Sequence, residues 1–153
     1  GLILIFMLLF AGGSTGSTTG GIKMVRHLVI LKNIRNAFRK LVHPNIISQI
    51  RLNNKPLTDK MNVSIISFVI LYLVIFLAGT IVIVILGTDP VTAASAVGTS
   101  LGNTGPGLGS IGPMYNYSHM PGMSKVIFSL LMIIGRLEIY TIFILFSKSF
   151  WKL

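Results

Sequence analysis

The stretch that decides the fold is TDPVTAASAVGTSLGNTGPGLG, residues 88–109, which lies between two apolar segments. Asp89 followed by Pro90 predicts a helix start, because Asp is a favoured N-cap and proline fits the first helical position. A helix over 89–101 would be about 20 Å long, too short to cross a hydrocarbon core of about 30 Å. The glycines and the proline that follow cannot continue a helix. A short helix and an extended segment between two spans predict a re-entrant loop.

The flanking segments are long enough to cross a membrane. Residues 62–87, NVSIISFVILYLVIFLAGTIVIVILG, carry no charge, and as a helix they would span about 39 Å, enough to cross with tilt. Residues 126–147 form a second candidate span, apolar except for Arg136 and Glu138 near its middle. Charges inside a span are costly, so both are functional candidates. They point about 200° apart on a helix and so face different neighbours. A purely structural ion pair to another part of the protein stays open.

Composition indicates a membrane protein and disfavours most enzymes. Of the 153 residues, 52% are hydrophobic and 10% are charged, against about 25% charged in ordinary globular proteins. With three acidic residues and no cysteine, a paired-carboxylate site and thiol chemistry are disfavoured, and we expect no enzymatic activity. Nine of the thirteen Lys and Arg residues lie between Lys23 and Lys60. That placement predicts a cytoplasmic loop under the positive-inside rule rather than a nucleic-acid surface.

A glycine- and hydroxyl-rich stretch, GGSTGSTTGGIK at residues 12–23, follows the apolar run LILIFMLLFA. A phosphate-binding loop needs lysine directly after its last glycine and then Ser or Thr, but here Ile22 intervenes and Met24 follows the lysine. We interpret the stretch as a break in a membrane helix, beside ions and water, where its glycines suit a mobile gate. A solvent-exposed linker stays open. The candidate gating residues are Gly12, Gly13, Ser14, Thr15, Gly16, Ser17, Thr18, Thr19, Gly20 and Gly21.

Residues 22–40 combine basic and apolar positions at near-helical spacing. They predict a basic amphipathic helix that leaves the membrane at its anionic cytoplasmic surface, with a solvated basic face as the alternative. Residues 41–60 then form a cytoplasmic loop. Because the chain starts inside an apolar run, we expect a fragment that begins part-way through a helix.

Three motifs carry a family resemblance: GGSTGSTTGGIK, GNTGPGLG and GRLEIYTIFILFSKSFW. Together they resemble the Trk/Ktr/HKT family of potassium transporters. The resemblance implies an all-α, multi-pass protein of the cell (inner) membrane, with four helix–pore loop–helix repeats like potassium-channel subunits around one pore. Residues 1–40 would be the broken second helix of repeat three, with an intramembrane glycine loop at 12–21. Residues 61–153 would be the fourth repeat.

The resemblance also implies site residues. The family's N-x-G-P context matches Gly105 as the filter glycine of repeat four, with Asn103 and Thr104 giving neighbouring carbonyl oxygens for potassium. An ordinary extracellular Gly/Pro turn is the alternative for this loop. Arg136 would lie near the ion path below the filter, where its charge repels potassium, and Glu138 belongs to the same motif.

The predicted function is potassium uptake through a central pore, with potassium as the transported substrate and no cofactor. A non-conducting structural membrane subunit is the alternative. The resemblance further implies the remaining repeats as partners, a homodimer and a cytosolic nucleotide-binding regulatory subunit. Whether the transporter is a symporter and which ion it couples to stay open.

Overall fold

The computed structural model describes residues 12–13, 20–43, 51–52 and 55–137, together with Met7. The predictions for residues 14–19, for Glu138 and for the end of the 126–147 span therefore lie outside the described residues. Within the described part the chain is mostly helical, as the sequence predicts. The helices are α1 Met24–Val42, α2 Asp59–Ile85, α3 Pro90–Gly102 and α4 Gly122–Arg136, and two 3-10 turns cover Gly109–Ile111 and Tyr117–His119.

Helix α2 is the membrane-length element. It has 27 residues and is, in the described part of the chain, the one helix long and apolar enough to cross a membrane. It begins three residues before the predicted span and ends two residues before the predicted end. One narrow stripe of the helix is buried, and its members recur every three or four residues: Phe68, Tyr72, Phe76, Gly79 and Ile83. The remaining faces leave apolar side chains exposed, which is typical of a helix that meets lipid or further protein.

Helix α3 begins at the residues that the sequence predicts. The Asp89 carboxylate accepts hydrogen bonds from the backbone N–H groups of Val91 at 3.1 Å and Thr92 at 3.2 Å. Pro90 occupies the first helical position, where it removes no helical hydrogen bond. The cap explains why a 13-residue helix starts sharply after α2, and the helix bounds match the predicted 89–101 to within one residue.

Helix α3 is also the central element of the fold. It packs against both α2 and α4, and nearly all of its residues from Thr92 onward are buried. Small residues permit this close packing: a Cβ atom on Gly79 of α2 would lie 3.2 Å from a Val97 methyl carbon. The short helix is therefore held inside the described structure, with α2 and α4 on its flanks.

Helix α1 confirms the predicted basic helix, although it covers Met24–Val42 rather than 22–40. It contacts α2 through polar groups. The Arg26 guanidinium lies 3.7 Å from the Phe68 ring centre, and the side-chain amides of Asn33 and Asn62 exchange two hydrogen bonds of 2.7 and 3.0 Å. These contacts fix α1 against the first half of the membrane-length helix α2.

A small antiparallel ladder lies in the predicted loop 41–60. Strand β1, Arg51–Leu52, pairs with β2, Lys55–Pro56, with Arg51 opposite Pro56 and Leu52 opposite Lys55. The Lys32 ammonium donates to the Arg51 carbonyl oxygen at 2.6 Å, so the ladder is joined to α1. The sequence does not predict it, since strands of two residues carry no alternation pattern.

Candidate functional site

The candidate site starts where α3 ends. Asn103 adopts the left-handed conformation, with φ 52° and ψ 38°, which Asn tolerates better than most residues because its side chain is short and polar. The backbone N–H of Asn103 donates to the Ser100 carbonyl oxygen at 3.3 Å, and that of Thr104 donates to Thr99 at 3.1 Å. The chain therefore turns sharply out of the helix at Asn103.

Residues 104–107 form neither helix nor strand. They are the segment that the sequence predicts to be extended, we call them the extended segment, and they contain the predicted filter glycine. Gly105 has φ +103°. Residues with a Cβ atom rarely adopt this angle, because the Cβ clashes with the backbone. A Cβ atom there would meet nothing within 4 Å. Glycine is required at this position by the backbone conformation and not by lack of space. Thr104, Gly105 and Pro106 are exposed in the described chain.

Two hydroxyl groups of α3 hold the residues that follow the extended segment. The Ser95 Oγ accepts from the Leu108 N–H, and the Thr92 Oγ1 accepts from the Ser110 N–H at 3.4 Å. The Gly107 N–H donates to the Ile111 carbonyl oxygen at 3.0 Å. Both ends of the extended segment are thus anchored to one buried helix, which fixes where its carbonyl groups lie.

Tyr117 is a site residue that sequence reasoning missed. Its hydroxyl lies 3.3 Å from the Thr99 Oγ1 and 3.5 Å from the Gly105 carbonyl oxygen. Its ring packs edge-on against Phe128, with 5.6 Å between ring centres. The aromatic side chain joins the helix, the extended segment and α4. No sequence pattern pointed to it, because the contacts link positions that are far apart in the chain.

The two ends of the glycine-rich stretch lie side by side. The Gly12 N–H donates to the Ile22 carbonyl oxygen at 3.0 Å, and the Met24 N–H donates to Gly13 at 3.2 Å. Gly12 and Gly13 therefore lie next to Ile22 and Met24. Of the ten predicted gating residues, Gly12, Gly13, Gly20 and Gly21 are described, and Gly20 and Gly21 are buried.

The glycine-rich stretch meets the end of α3 backbone to backbone. A Cβ atom on Gly20 would lie 2.9 Å from the Leu101 carbonyl oxygen and 3.0 Å from that of Gly102. A Cβ atom on Gly21 would lie 3.6 Å from the Gly102 Cα. The structure thereby brings the predicted gating stretch to the residue that precedes the predicted filter segment.

Helix α4 approaches the same point. A Cβ atom on Gly135 would overlap the Leu101 carbonyl oxygen and would lie 2.9 Å from its carbonyl carbon. We call this meeting point the glycine junction, and it consists of Gly20, Gly21, Gly102 and Gly135. Gly135 was not predicted as a site residue, although an isolated glycine in a helix often marks close packing. Arg136 follows it and is exposed in the last turn of α4.

The polar groups at the glycine junction are the backbone carbonyl oxygens at the end of α3. The last carbonyl groups of a helix lack partners within the helix, and the helix dipole places partial negative charge there. The described residues contain no cluster of three or more His, Cys, Asp or Glu side chains that could hold a metal. Backbone carbonyl oxygens of Leu101 and Gly102 are the polar groups that face the neighbouring glycines at this end of α3.

A membrane-length helix packed on a short, capped, buried helix with a carbonyl-rich end is an arrangement found in membrane transport proteins. Comparison with known proteins agrees: a sequence model of the TrkH family, described as cation transport proteins, matches residues 1–153. The chain belongs to the TrkH family.

Curated relatives cover almost the whole chain. The Trk system potassium uptake protein TrkI of Halomonas elongata is 36% identical over 151 residues, and TrkH of Escherichia coli K12 is 34% identical over 150. Each alignment covers 98% of this chain and 31% of the relative. The crystal structure of the potassium transporter TrkH from Vibrio parahaemolyticus matches with a TM-score of 0.88 at 31% identity, covering 98% of this chain and 32% of that chain. The chain spans about a third of the length of these relatives.

Proposed function

We propose that this chain contributes part of a potassium uptake pathway across the cell membrane. The observation that carries the proposal is the stretch from Asn103 through the extended segment, residues 104–107, which is anchored at both ends to the buried helix α3. It contains the proposed filter residues Asn103, Thr104 and Gly105. Family membership and relatives named as potassium uptake proteins support it. The broken helix at 12–21 and the fourth helix–pore loop–helix repeat at 61–153 are the corresponding architectural proposals.

The mechanism we propose is replacement of the potassium ion's water shell by carbonyl oxygens. A filter of this kind needs an extended backbone whose carbonyl groups are held in place. The left-handed turn at Asn103 and the positive φ of Gly105 set the path of this backbone, and the hydrogen bond from the Leu108 N–H to Ser95 holds its far end. The partly negative end of α3 lies beside it and favours a cation. The alternative, a non-conducting structural subunit, does not need a segment that is exposed and yet anchored at both ends to a buried helix.

The glycine-rich stretch is the proposed gate. It contacts the carbonyl end of α3 through Gly20 and Gly21, directly before the proposed filter residues in the chain. A polar loop attached there would obstruct an ion leaving the filter. Further parts of the proposal are a homodimer, a cytosolic nucleotide-binding regulatory subunit and coupling to a second ion as a symporter.

Deleting residues 13–18 from the full-length gene product is expected to raise potassium flux severalfold, because the obstruction is removed. Uptake into potassium-depleted cells that lack other uptake systems is the measurement, normalised for protein in the membrane. Wild-type protein gives the reference: no uptake by well-expressed wild type would contradict the proposed function. An unchanged rate in the deletion would contradict only the gate and would favour a linker.

Arg136→Ala is expected to increase maximal potassium flux. If its charge lies about 8 Å from the ion path, Coulomb's law with an effective dielectric of about 20 gives a repulsion of roughly 2 kcal/mol, and cavity water reduces this. We therefore expect a rise of about twofold to tenfold, and a smaller change in Arg136→Lys. A well-folded Arg136→Ala protein with wild-type flux would contradict the role in the ion path. A lowered melting temperature would instead favour a structural ion pair.

A further inference from the structure

We propose that the side-chain amide of Asn103 joins the glycine-rich stretch and helix α4 to the extended segment, so that the proposed gate and the proposed filter move together. This inference rests on the proposed function and deepens it. Asn103 is here a positioning residue: its backbone belongs to the filter segment, whereas its side chain acts on neighbouring elements.

The amide nitrogen of Asn103 binds α4. Its Nδ2 donates a hydrogen bond of 3.1 Å to the Met132 carbonyl oxygen. That carbonyl lies in α4, within one turn of Gly135, and a carbonyl oxygen has lone pairs for two donors. The hydrogen bond fixes the side chain of the residue at which α3 turns into the extended segment.

The same nitrogen fills the space that two glycines leave free. A Cβ atom on Gly20 would lie 2.9 Å from the Asn103 Nδ2, and a Cβ atom on Gly135 would lie 3.0 Å from it. One amide is therefore held between the glycine-rich stretch on one side and α4 on the other. The residues concerned are separated by 83 and 32 positions in the sequence (103 − 20 and 135 − 103).

Because of its position in the chain, Asn103 can transmit this contact to the extended segment. It is the last residue before Thr104, and its left-handed backbone sets the direction of the extended segment. Movement of the glycine-rich stretch removes one wall of the space that holds the amide. The backbone angles of Asn103, and with them the carbonyl groups that follow, then lose one of their constraints.

A simpler role for Asn103 is to end the helix in the left-handed conformation. Glycine fills that role at least as well. Asn103→Gly therefore keeps the helix end and removes only the amide, whereas Asn103→Asp keeps the shape and removes the N–H donors. A residue needed only as a helix end would tolerate Asn103→Gly without change in transport.

The test is a double-mutant cycle in the full-length gene product, with Asn103→Gly and the deletion of residues 13–18 alone and together. The readouts are the ratio of potassium to sodium uptake and the melting temperature. We expect Asn103→Gly alone to lower the ratio at least about threefold, within the range of coupling seen in one hydrogen-bond network. In the deletion background the same substitution should change the ratio by less than about twofold.

The control is Asn116→Gly, which removes an asparagine whose side chain accepts from the Ser118 N–H in the same connection. It should leave the ratio unchanged. Independent, multiplicative effects of Asn103→Gly and the deletion on the ratio would overturn the inference. If the wild type carries no potassium, the proposed function fails, and the melting temperatures of the same four proteins decide the contact: additive shifts overturn it, and non-additive shifts support it.

Discussion

Gly135→Ala is expected to lower sharply the yield and the melting temperature of the folded protein. The new methyl group would overlap the Leu101 carbonyl oxygen, which is a backbone atom and cannot rotate away. Overpacking a core typically costs about 1–3 kcal/mol, and here the cost should reach or exceed the upper end because α3 and α4 must separate. Such a loss is a large fraction of the usual stability of about 5–15 kcal/mol. The measurement is the yield and melting temperature of the full-length gene product in detergent.

The matched control lies in the same helix. A Cβ atom on Gly122, the first residue of α4, would meet nothing within 4 Å, and alanine restricts the unfolded chain more than glycine does. Gly122→Ala should therefore leave the yield and melting temperature unchanged or slightly raised. Wild-type stability in Gly135→Ala would contradict the close approach of α4 to the end of α3, and with it the glycine junction.

Local signals predicted the short helix well. Asp89 and Pro90 define its start by hydrogen bonding and by backbone restriction, and both effects depend only on the next few residues. Gly102 and Asn103 end it for similarly local reasons. The long apolar run predicted α2, because a segment of that length and composition has few other stable states.

The glycine junction could not be predicted from the sequence, because it joins distant parts of the chain. Gly20 and Gly135 each look like ordinary helix-breaking or helix-interior glycines when considered alone. On α4 the buried residues Ser124, Phe128 and Leu131 recur at helical spacing, and Gly135 continues that stripe. This periodicity places Gly135 on the packed face, but only the structure shows that the partner is the carbonyl end of α3.

The Tyr117 contacts were unpredictable for a related reason. A tyrosine in a loop between two spans reads as an interfacial side chain. Its hydroxyl instead lies between Thr99 and the Gly105 carbonyl oxygen, which depends on how residues 108–116 fold over α3. Short 3-10 turns carry too little pattern for the sequence to fix that path.

Gly105→Ala is expected to reduce potassium selectivity by roughly tenfold. Alanine at φ +103° is strained, and strain of this kind costs about 1–3 kcal/mol. Because no atom lies within 4 Å of the new Cβ, the strain is relieved by backbone rotation rather than by disrupting the core. Rotation moves the neighbouring carbonyl groups and leaves the fold in place. The measurement is the ratio of potassium to sodium uptake at equal protein level.

Gly87→Ala is the control for backbone strain itself. Gly87 also has a positive φ, +91°, and a Cβ atom there would also meet nothing within 4 Å. It follows the end of α2 and lies outside the proposed filter segment. We expect a comparable loss of stability in both variants. A loss of ion selectivity in Gly105→Ala alone would therefore result from the position of Gly105 and not from backbone strain in general.

The ratio of potassium to sodium uptake in Gly105→Ala, measured beside Gly87→Ala and the wild type in the full-length gene product, tests most directly whether residues 103–105 line the filter. We predict a ratio roughly tenfold below wild type in Gly105→Ala and a wild-type ratio in Gly87→Ala. A wild-type ratio in a folded, transporting Gly105→Ala protein would contradict the filter assignment.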